Sequence, residues 1–367
     1  MTAKYRVGII GCGGIARSHL RGFGEVAGAE VVAGADPSPE ARARWEREYG
    51  VPRMYATAEE LLERERPDVV SLCVWPPIRP ELTELVCAAG VKGIVAEKPM
   101  AVDLAGCDRM IAAAERAGAV LIVRHQRRYS PRFVAARALI DAGAIGDVEQ
   151  IAVFNGGRGG GGDLITSSSH MVDVMRYLLH DAPAEWVIGQ VDVRDPGFSN
   201  GPTGFQRWEE THTRYGHPIE AGAAGIIRFQ GGARGQVECG IVSRPRPSYS
   251  ATIYGSEGVI ETAGDPGRSG GDAGAAAPPL RARLKGTAGW TLPEVGPETG
   301  IPTPFSDLVA QLEGEREPPH PLDMRSARQV HEILMAIYES ARRRARIDLP
   351  LDVAVNPLGE ILAGSAA

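Results

Sequence analysis

Short apolar runs alternate with amphipathic stretches from residue 5 to about residue 123. The runs 5–10, 30–35, 69–74, 93–96 and 120–123 are rich in β-branched residues and bounded by Gly, Asp or Pro, as buried strands of a parallel sheet are. Between them, 15–23, 39–49, 58–64, 81–89 and 104–117 read as helices. Ser38 before Pro39 offers a capping hydroxyl and a proline suited to a first helical turn. Regular alternation of strand and helix predicts an α/β domain over residues 1–123, a doubly wound parallel sheet covered by helices.

After Ser130 the rhythm changes. The pattern predicts a helix over 132–142, a strand over 148–155, a glycine-rich loop, and a helix from about His170 to Leu179. Segments 186–193, 222–229, 234–242, 249–254 and 259–262 then alternate apolar and polar positions, with turns such as Gln230-Gly231-Gly232 between them. That is the signature of an open, mainly antiparallel sheet, and it predicts an α+β domain over 124–349 with a tail at 350–367. Apolar residues such as Ile226, Val237 and Ile253 ask for cover on both faces, so association through this sheet into a homodimer or homotetramer is expected. The Gly/Ala/Pro/Ser stretch 264–279 has no core-forming pattern and reads as a surface loop. A late helix over 326–344 ends in Arg342-Arg343-Arg344, which suits the negative end of the helix dipole. No internal repeat is present.

Composition narrows the classes of function. Lys plus Arg number 40 against 46 Asp plus Glu, a net charge of −6, which argues against a nucleic-acid binder. No apolar run approaches the ~20 residues of a membrane span, and Met1 to Lys4 lead into a strand rather than a signal peptide, so a cytoplasmic protein with no membrane partner is expected. Cys12, Cys73, Cys87, Cys107 and Cys239 are scattered and odd in number, which points to free thiols. His125, His212 and His217 could approach a cleft, yet no spacing such as HExxH links the histidines, and no metal is expected.

The first predicted strand runs into Gly11-Cys12-Gly13-Gly14-Ile15-Ala16 and then a helix, so a GxGxxG/A fingerprint falls where its physics requires. Gly11 permits a tight turn, Gly13 lets backbone approach a pyrophosphate, and small Ala16 lets helix and strand pack closely. The phosphates would sit on the helix N-terminus. Asp36 ends the second strand, twenty residues after Ala16, where a carboxylate accepts hydrogen bonds from the adenosine ribose. Pro37 rather than Arg follows it, so NAD is favoured over NADP. Cys12 reads as a small filler in the loop rather than a nucleophile.

Further motifs follow in order: Cys73-Val74-Trp75-Pro76-Pro77 with Glu81, then Val95-Ala96-Glu97-Lys98-Pro99-Met100, Arg128-Tyr129-Ser130-Pro131, the stretch Leu139 to Gly146, and His170-Met171-Val172-Asp173. Together with the glycine fingerprint this chain resembles the Gfo/Idh/MocA family (glucose-fructose oxidoreductase, inositol dehydrogenase and rhizopine catabolism proteins) over about two-thirds of its length. The resemblance implies that Lys98 and His170, carried by opposite domains, face the substrate across the nicotinamide as acid–base groups. It implies cofactor contacts from Val74, Trp75, Pro76, Pro77, Glu97 and Lys98 beside those of Gly11 to Ala16 and Asp36. On the substrate side it implies Arg128, Tyr129, Arg158, Asp163, Thr166 and Ser169 with Lys98 and His170, donors and acceptors suited to a sugar or cyclic polyol. Arg127 is a further charge on that segment and reads equally as a surface group.

The chain departs from the family pattern four residues before His170, where many members carry an Asp and this one has Thr166. A threonine hydroxyl supplies no negative charge, so His170 should be charged less readily than in those relatives. Asp173 reads either as orienting a neighbour or as a structural ion pair. The implied activity is an NAD-dependent dehydrogenase for a secondary alcohol or ketone. Two alternatives stand beside it: an enzyme that retains its cofactor and uses transient oxidation to cleave or epimerise sugars, and a non-catalytic NAD and sugar sensor.

Overall fold

The computed structural model describes residues 5–157, 163–193, 213–241, 248–264, 278–297 and 303–365. The chain divides into two compact units, Met1–Gln126 with Pro302–Arg328, and Arg127–Ile301 with Gln329–Ala367.

The first unit alternates β1 (Tyr5–Ile10), α1 (Ala16–Gly24), β2 (Ala29–Ala35), α2 (Pro39–Tyr49), β3 (Met54–Tyr55), α3 (Ala58–Glu65), β4 (Val69–Leu72), α4 (Arg79–Ala88), β5 (Gly93–Ala96), α5 (Leu104–Ala117) and β6 (Val120–Val123). The six strands are parallel in the order β3-β2-β1-β4-β5-β6. Val7, Ile9, Val69, Val70, Leu72, Ile94 and Val95 are buried, as expected of strands covered on both faces. Strand order reverses between β1 and β4, and the crevice at the carboxyl ends of strands around such a reversal is where ligands bind in open α/β sheets. Ser38 caps α2 by accepting the Ala41 N–H at 3.1 Å. Strand β4 stops at Leu72, two residues short of the apolar run, because the chain turns into a 3₁₀ turn at Pro76–Ile78.

The sequence pattern assigns 303–328 to the second domain, whereas the structure joins this segment to the first unit. The reason is packing on α1. Helix α8 (Pro304–Leu312) carries Phe305, whose ring lies 4.7 Å from that of Phe23 and 5.3 Å from the imidazole of His19.

The second unit contains α6 (Pro131–Asp141), β7 (Val148–Gly157), α7 (Ser169–Leu178), β8 (Ala184–Asp192), the short pair β9 (Thr213–Arg214) and β10 (His217–Pro218), β11 (Gly222–Phe229), β12 (Arg234–Ile241), β13 (Ser250–Gly255), β14 (Gly258–Thr262) and β15 (Leu280–Arg283). Helix α9 (Met324–Arg343), of which the part from Gln329 onward belongs here, leads to β16 (Ile347–Asp348) and to α10 (Leu358–Ser365), a helix in the stretch expected to be a tail. Eight strands form one sheet in the order β15-β14-β13-β7-β12-β11-β8-β16. Only the β12–β7 pair in it is parallel.

Helices α6, α7 and α9 lie on one face of this sheet. Gly189 is required for that: a Cβ there would sit 2.6 Å from the backbone oxygen of Ile337 on α9. Val237 and Ile253 are buried beneath this layer, while Ile188 and Ile226, paired across β8 and β11, are 45% and 48% exposed on the other face. Of the three apolar residues expected to need cover on both faces, two therefore share the helix-covered side and only Ile226 lies on the open one. The Gly/Ala/Pro/Ser stretch 264–279 falls almost wholly outside the described residues.

Candidate active site

The glycine loop closes against β4. Gly11 adopts φ +87°, and a Cβ there would lie 2.8 Å from the Cys73 carbonyl oxygen, so only glycine makes this turn. Gly13 and Gly14 are different: a Cβ at either would meet nothing within 4 Å, so protein packing does not demand glycine and the space outside the loop is open. Helix α1 begins at buried Ala16, and its preceding residue Ile15 makes no side-chain cap. The first N–H groups of α1 are thus not capped by that residue, which is what a pyrophosphate at a helix N-terminus needs. The Asp36 carboxylate accepts the Cys12 N–H at 2.8 Å and the Ser38 N–H at 2.9 Å, tying the end of β2 to the loop. These features fit a dinucleotide. Burial, then the Asp36 charge, pushes the Cys12 thiol up to about 12, so it is a filler and no nucleophile.

The strand ends facing this crevice are locked together by residues that the sequence did not single out. Arg79, fully buried on α4, donates to the carbonyls of Val74 and Pro99 and, at 3.3 Å, to that of Met100. One guanidinium thus holds both the segment after β4 and the segment after β5. Trp75 is 61% exposed and Pro77 is exposed, while Pro76 is buried and Val74 half-buried. Glu97, expected as a cofactor contact, instead faces inward: its Oε1 lies 2.9 Å from His19 Nε2 and accepts from Arg124 at 3.0 Å, and its Oε2 accepts the Lys98 N–H at 3.3 Å. Burial alone would raise this carboxyl, but the His19 bond, with the charges of His19 and Arg124, holds it well below the usual carboxylate range. Ser71 lies 2.5 Å from the other nitrogen of His19. Lys98 follows at the carboxyl end of β5, half-buried, on a segment fixed from both sides.

In the second unit Arg128 is buried and commits four N–H···O bonds of 2.7–2.8 Å to Asp173 and Asp181. These carboxylates raise the guanidinium pKa further despite burial. An arginine so engaged holds α7 to its own approach segment, with Asp173 and Asp181 as its ion-pair partners. His170, 4% exposed at the second position of α7, meets the edge of the Tyr249 ring at 6.2 Å. The guanidinium of Arg127 lies over that ring, 3.6 Å from its centroid. Tyr129 is half-buried in the turn before α6. Asp163 and Thr166 are brought together, hydrogen-bonded through side chain and backbone, and both are buried. The Ser169 hydroxyl is buried without a hydrogen-bond partner. Arg158 and His212 lie outside the described residues.

Tyr249, Arg214 and Glu220 were not legible as site residues, because they sit in stretches with no motif and meet α7 or the turn before it only through the fold. Among the described residues no group of three His, Cys, Asp or Glu side chains gathers to hold a metal, and no helix is long and apolar enough to cross a membrane. All five cysteines are buried free thiols.

A glycine loop at the switch point of a 3-2-1-4-5-6 parallel sheet, with a lysine closing a neighbouring strand, defines a dinucleotide-binding Rossmann protein, here joined to an α+β unit. Two models of one family match it: an oxidoreductase family with an NAD-binding Rossmann fold over residues 5–125, and the GFO/IDH/MocA C-terminal domain over residues 133–261. The chain belongs to the Gfo/Idh/MocA family. It is similar to a D-apiose dehydrogenase of Paraburkholderia graminis, 36% identical over 39% of this chain and 38% of that protein. An inositol 2-dehydrogenase of Klebsiella pneumoniae is 31% identical over 48% of this chain and 55% of its own length. The matched regions thus span well under two-thirds of either relative. Among solved structures, the WlbA dehydrogenase of Bordetella pertussis, in complex with NADH and UDP-GlcNAcA, aligns with TM-score 0.71 at 24% identity over 95% of this chain and 100% of that one, which shows the shared fold.

Proposed function

We propose that this protein is an NAD-dependent dehydrogenase moving a hydride between the nicotinamide and a secondary alcohol or ketone of a sugar, inositol or related cyclic polyol. The observation that carries this reading is Lys98, at the carboxyl end of β5 on a segment held by Glu97 and Arg79, in a Rossmann unit whose glycine loop fits a pyrophosphate. Bound NAD supplies the hydride acceptor. Gly11, Cys12, Gly13, Gly14, Ile15 and Ala16 bind the pyrophosphate with the N-terminus of α1, Asp36 accepts from the adenosine ribose, and Val74, Trp75, Pro76 and Pro77 border the nicotinamide half. Lys98 takes the hydroxyl proton as the carbon is oxidised and returns it in reduction. His170 is the second acid–base group, and Ser169 and Tyr129 bind substrate hydroxyls. Small sugars and polyols are supported by the substrates named for the relatives. Five buried free thiols support a reducing, cytoplasmic setting, and exposed Ile188 and Ile226 support self-association through the open sheet face.

Screening the purified protein against inositols, aldoses and anhydrosugars while following NADH absorbance tests this. Turnover of one of them is expected. Lys98→Ala should abolish it while NAD still binds, and His170→Ala should cost about 10²- to 10⁴-fold. Near-normal turnover by Lys98→Ala would remove the lysine from the chemistry. Cofactor retained through purification with sugar conversion but no net NADH would favour the retained-cofactor reading, and binding of NAD and sugar without product would favour a sensor.

A further inference from the structure

The helix that presents His170 is entered through a built polar turn. Asp163 opens a single π-helical turn, Leu164–Ser168, which runs into Ser169 and α7. The Asp163 side chain accepts the Thr166 N–H at 2.6 Å through one oxygen and the Thr166 hydroxyl through the other. Arg214 Nη1 donates to that second oxygen at 2.8 Å and reaches the Thr166 hydroxyl at 3.5 Å. Glu220 accepts the Leu164 N–H with one oxygen and the Tyr338 hydroxyl, at 2.7 Å, with the other. Asp163 is buried like the neighbouring Ser169 and His170, and both its side-chain oxygens are engaged within the turn and by Arg214.

An N-cap by itself requires none of this. Asn caps as well as Asp, and burying a charge pair to do a cap's work costs desolvation that the cap does not return. The buried Ser169 hydroxyl immediately after the turn has no hydrogen-bond partner among the described residues of the protein.

We propose that Asp163 is a positioning residue: acting through the Thr166 hydroxyl, with Arg214 as its charge partner, it fixes the turn that sets Ser169 and His170. The proposal rests on the reading of His170 as an acid–base group. The charged and titratable groups around Asp163 include Arg214, Glu220, Tyr338 and Cys239, and Tyr249, with Arg127 on its ring, is among the groups that meet His170.

The discriminating variant is Asp163→Asn, which keeps the cap and loses the charge. The imidazole titration of His170 is followed by NMR in the full-length protein, its signal assigned by its loss in His170→Gln. In Asp163→Asn its midpoint should fall, since the Asp163–Arg214 ion pair on the turn becomes a lone cation. With a sugar or polyol that the NADH screen turns over, kcat should fall about 10- to 100-fold with the KM for NAD unchanged. Thr166→Val should reproduce the loss of kcat and Thr166→Ser should restore it. An Asp163→Asn protein with the wild-type midpoint overturns the proposal, as does wild-type behaviour of Thr166→Val if Asp163→Asn does not fold. The titration needs no substrate, so absence of turnover in the screen would refute the dehydrogenase reading while leaving this test intact.

Discussion

Asp36 Oδ2 accepts the backbone N–H of Cys12 at 2.8 Å, so the residue expected to read the adenosine ribose also braces the loop expected to hold the pyrophosphate. Two guanidiniums stand near: Arg42 donates to the carbonyls of Asp36 and Pro37, and Arg44 to that of Cys12 at 3.0 Å. With the carboxylate present, a 2′-phosphate is repelled and NAD should be preferred over NADP. Asp36→Ala should weaken NAD roughly 10-fold or more, since a hydrogen bond to a charged group is lost, and should narrow the gap to NADP. Titration of both cofactors by fluorescence checks this, and an unmutated protein that prefers NADP would refute it.

Arg79 supplies a prediction about stability with a functional readout. Replacing it by Met leaves the carbonyls of Val74, Pro99 and Met100 without their donor, at about 1–3 kcal/mol for each one left buried and bare. The thermal midpoint should fall by roughly 5–10 °C, and the KM for NAD should rise because the segments bearing Trp75 and Lys98 lose their common anchor. Lys at this position should not rescue, because an ammonium cannot span the three acceptors as a guanidinium does. Differential scanning calorimetry and NAD titration measure both effects.

Glu220 should make the protein less stable as pH rises. Burial, then the charge of Asp163, pushes its carboxyl up to about 7 from an ordinary 4.5. The folded state therefore keeps a proton that the unfolded chain releases, so this contribution is complete below about 4.5 and is lost as pH rises through about 7. Glu220→Gln still accepts the Leu164 N–H and does not titrate. Its thermal midpoint relative to the unmutated protein should rise between pH 5 and pH 8, and a pH-independent difference would show that Glu220 is not the group responsible.

Ile188 and Ile226 face each other across β8 and β11 on the open face of the second sheet. If that face joins copies of the chain, Ile226→Glu should give a monomeric mass by light scattering at micromolar concentration while the unmutated protein gives a dimer or tetramer, because an unpaired carboxylate is not buried in an apolar contact. A monomeric unmutated protein would remove the association from the proposal.

The sequence by itself determined five of the six strands of the first unit and its glycine loop, because a parallel sheet buried on both faces writes continuous apolar runs, and a tight approach to a phosphate writes glycines at set spacing. Gly11 and Ala16 were legible for that reason, Asp36 from its place at the end of the second strand, and Lys98 from the family motif it stands in. Strands β3 and β16, two residues each, are too short to carry a period, and the segment holding Phe305 could not be assigned to its unit because its apolar partners lie on α1, far away in the chain. The roles of charged residues were decided only by tertiary structure. Arg128 and Glu97 stand in recognisable motifs, yet Asp173, Asp181, His19 and Arg124 turn them inward. Thr166 looks in the sequence like a missing carboxylate, and the fold lays Asp163 against its hydroxyl. A charge acts through whatever lies within a few ångströms of it, and for these side chains that neighbour was set by packing and not by spacing along the chain.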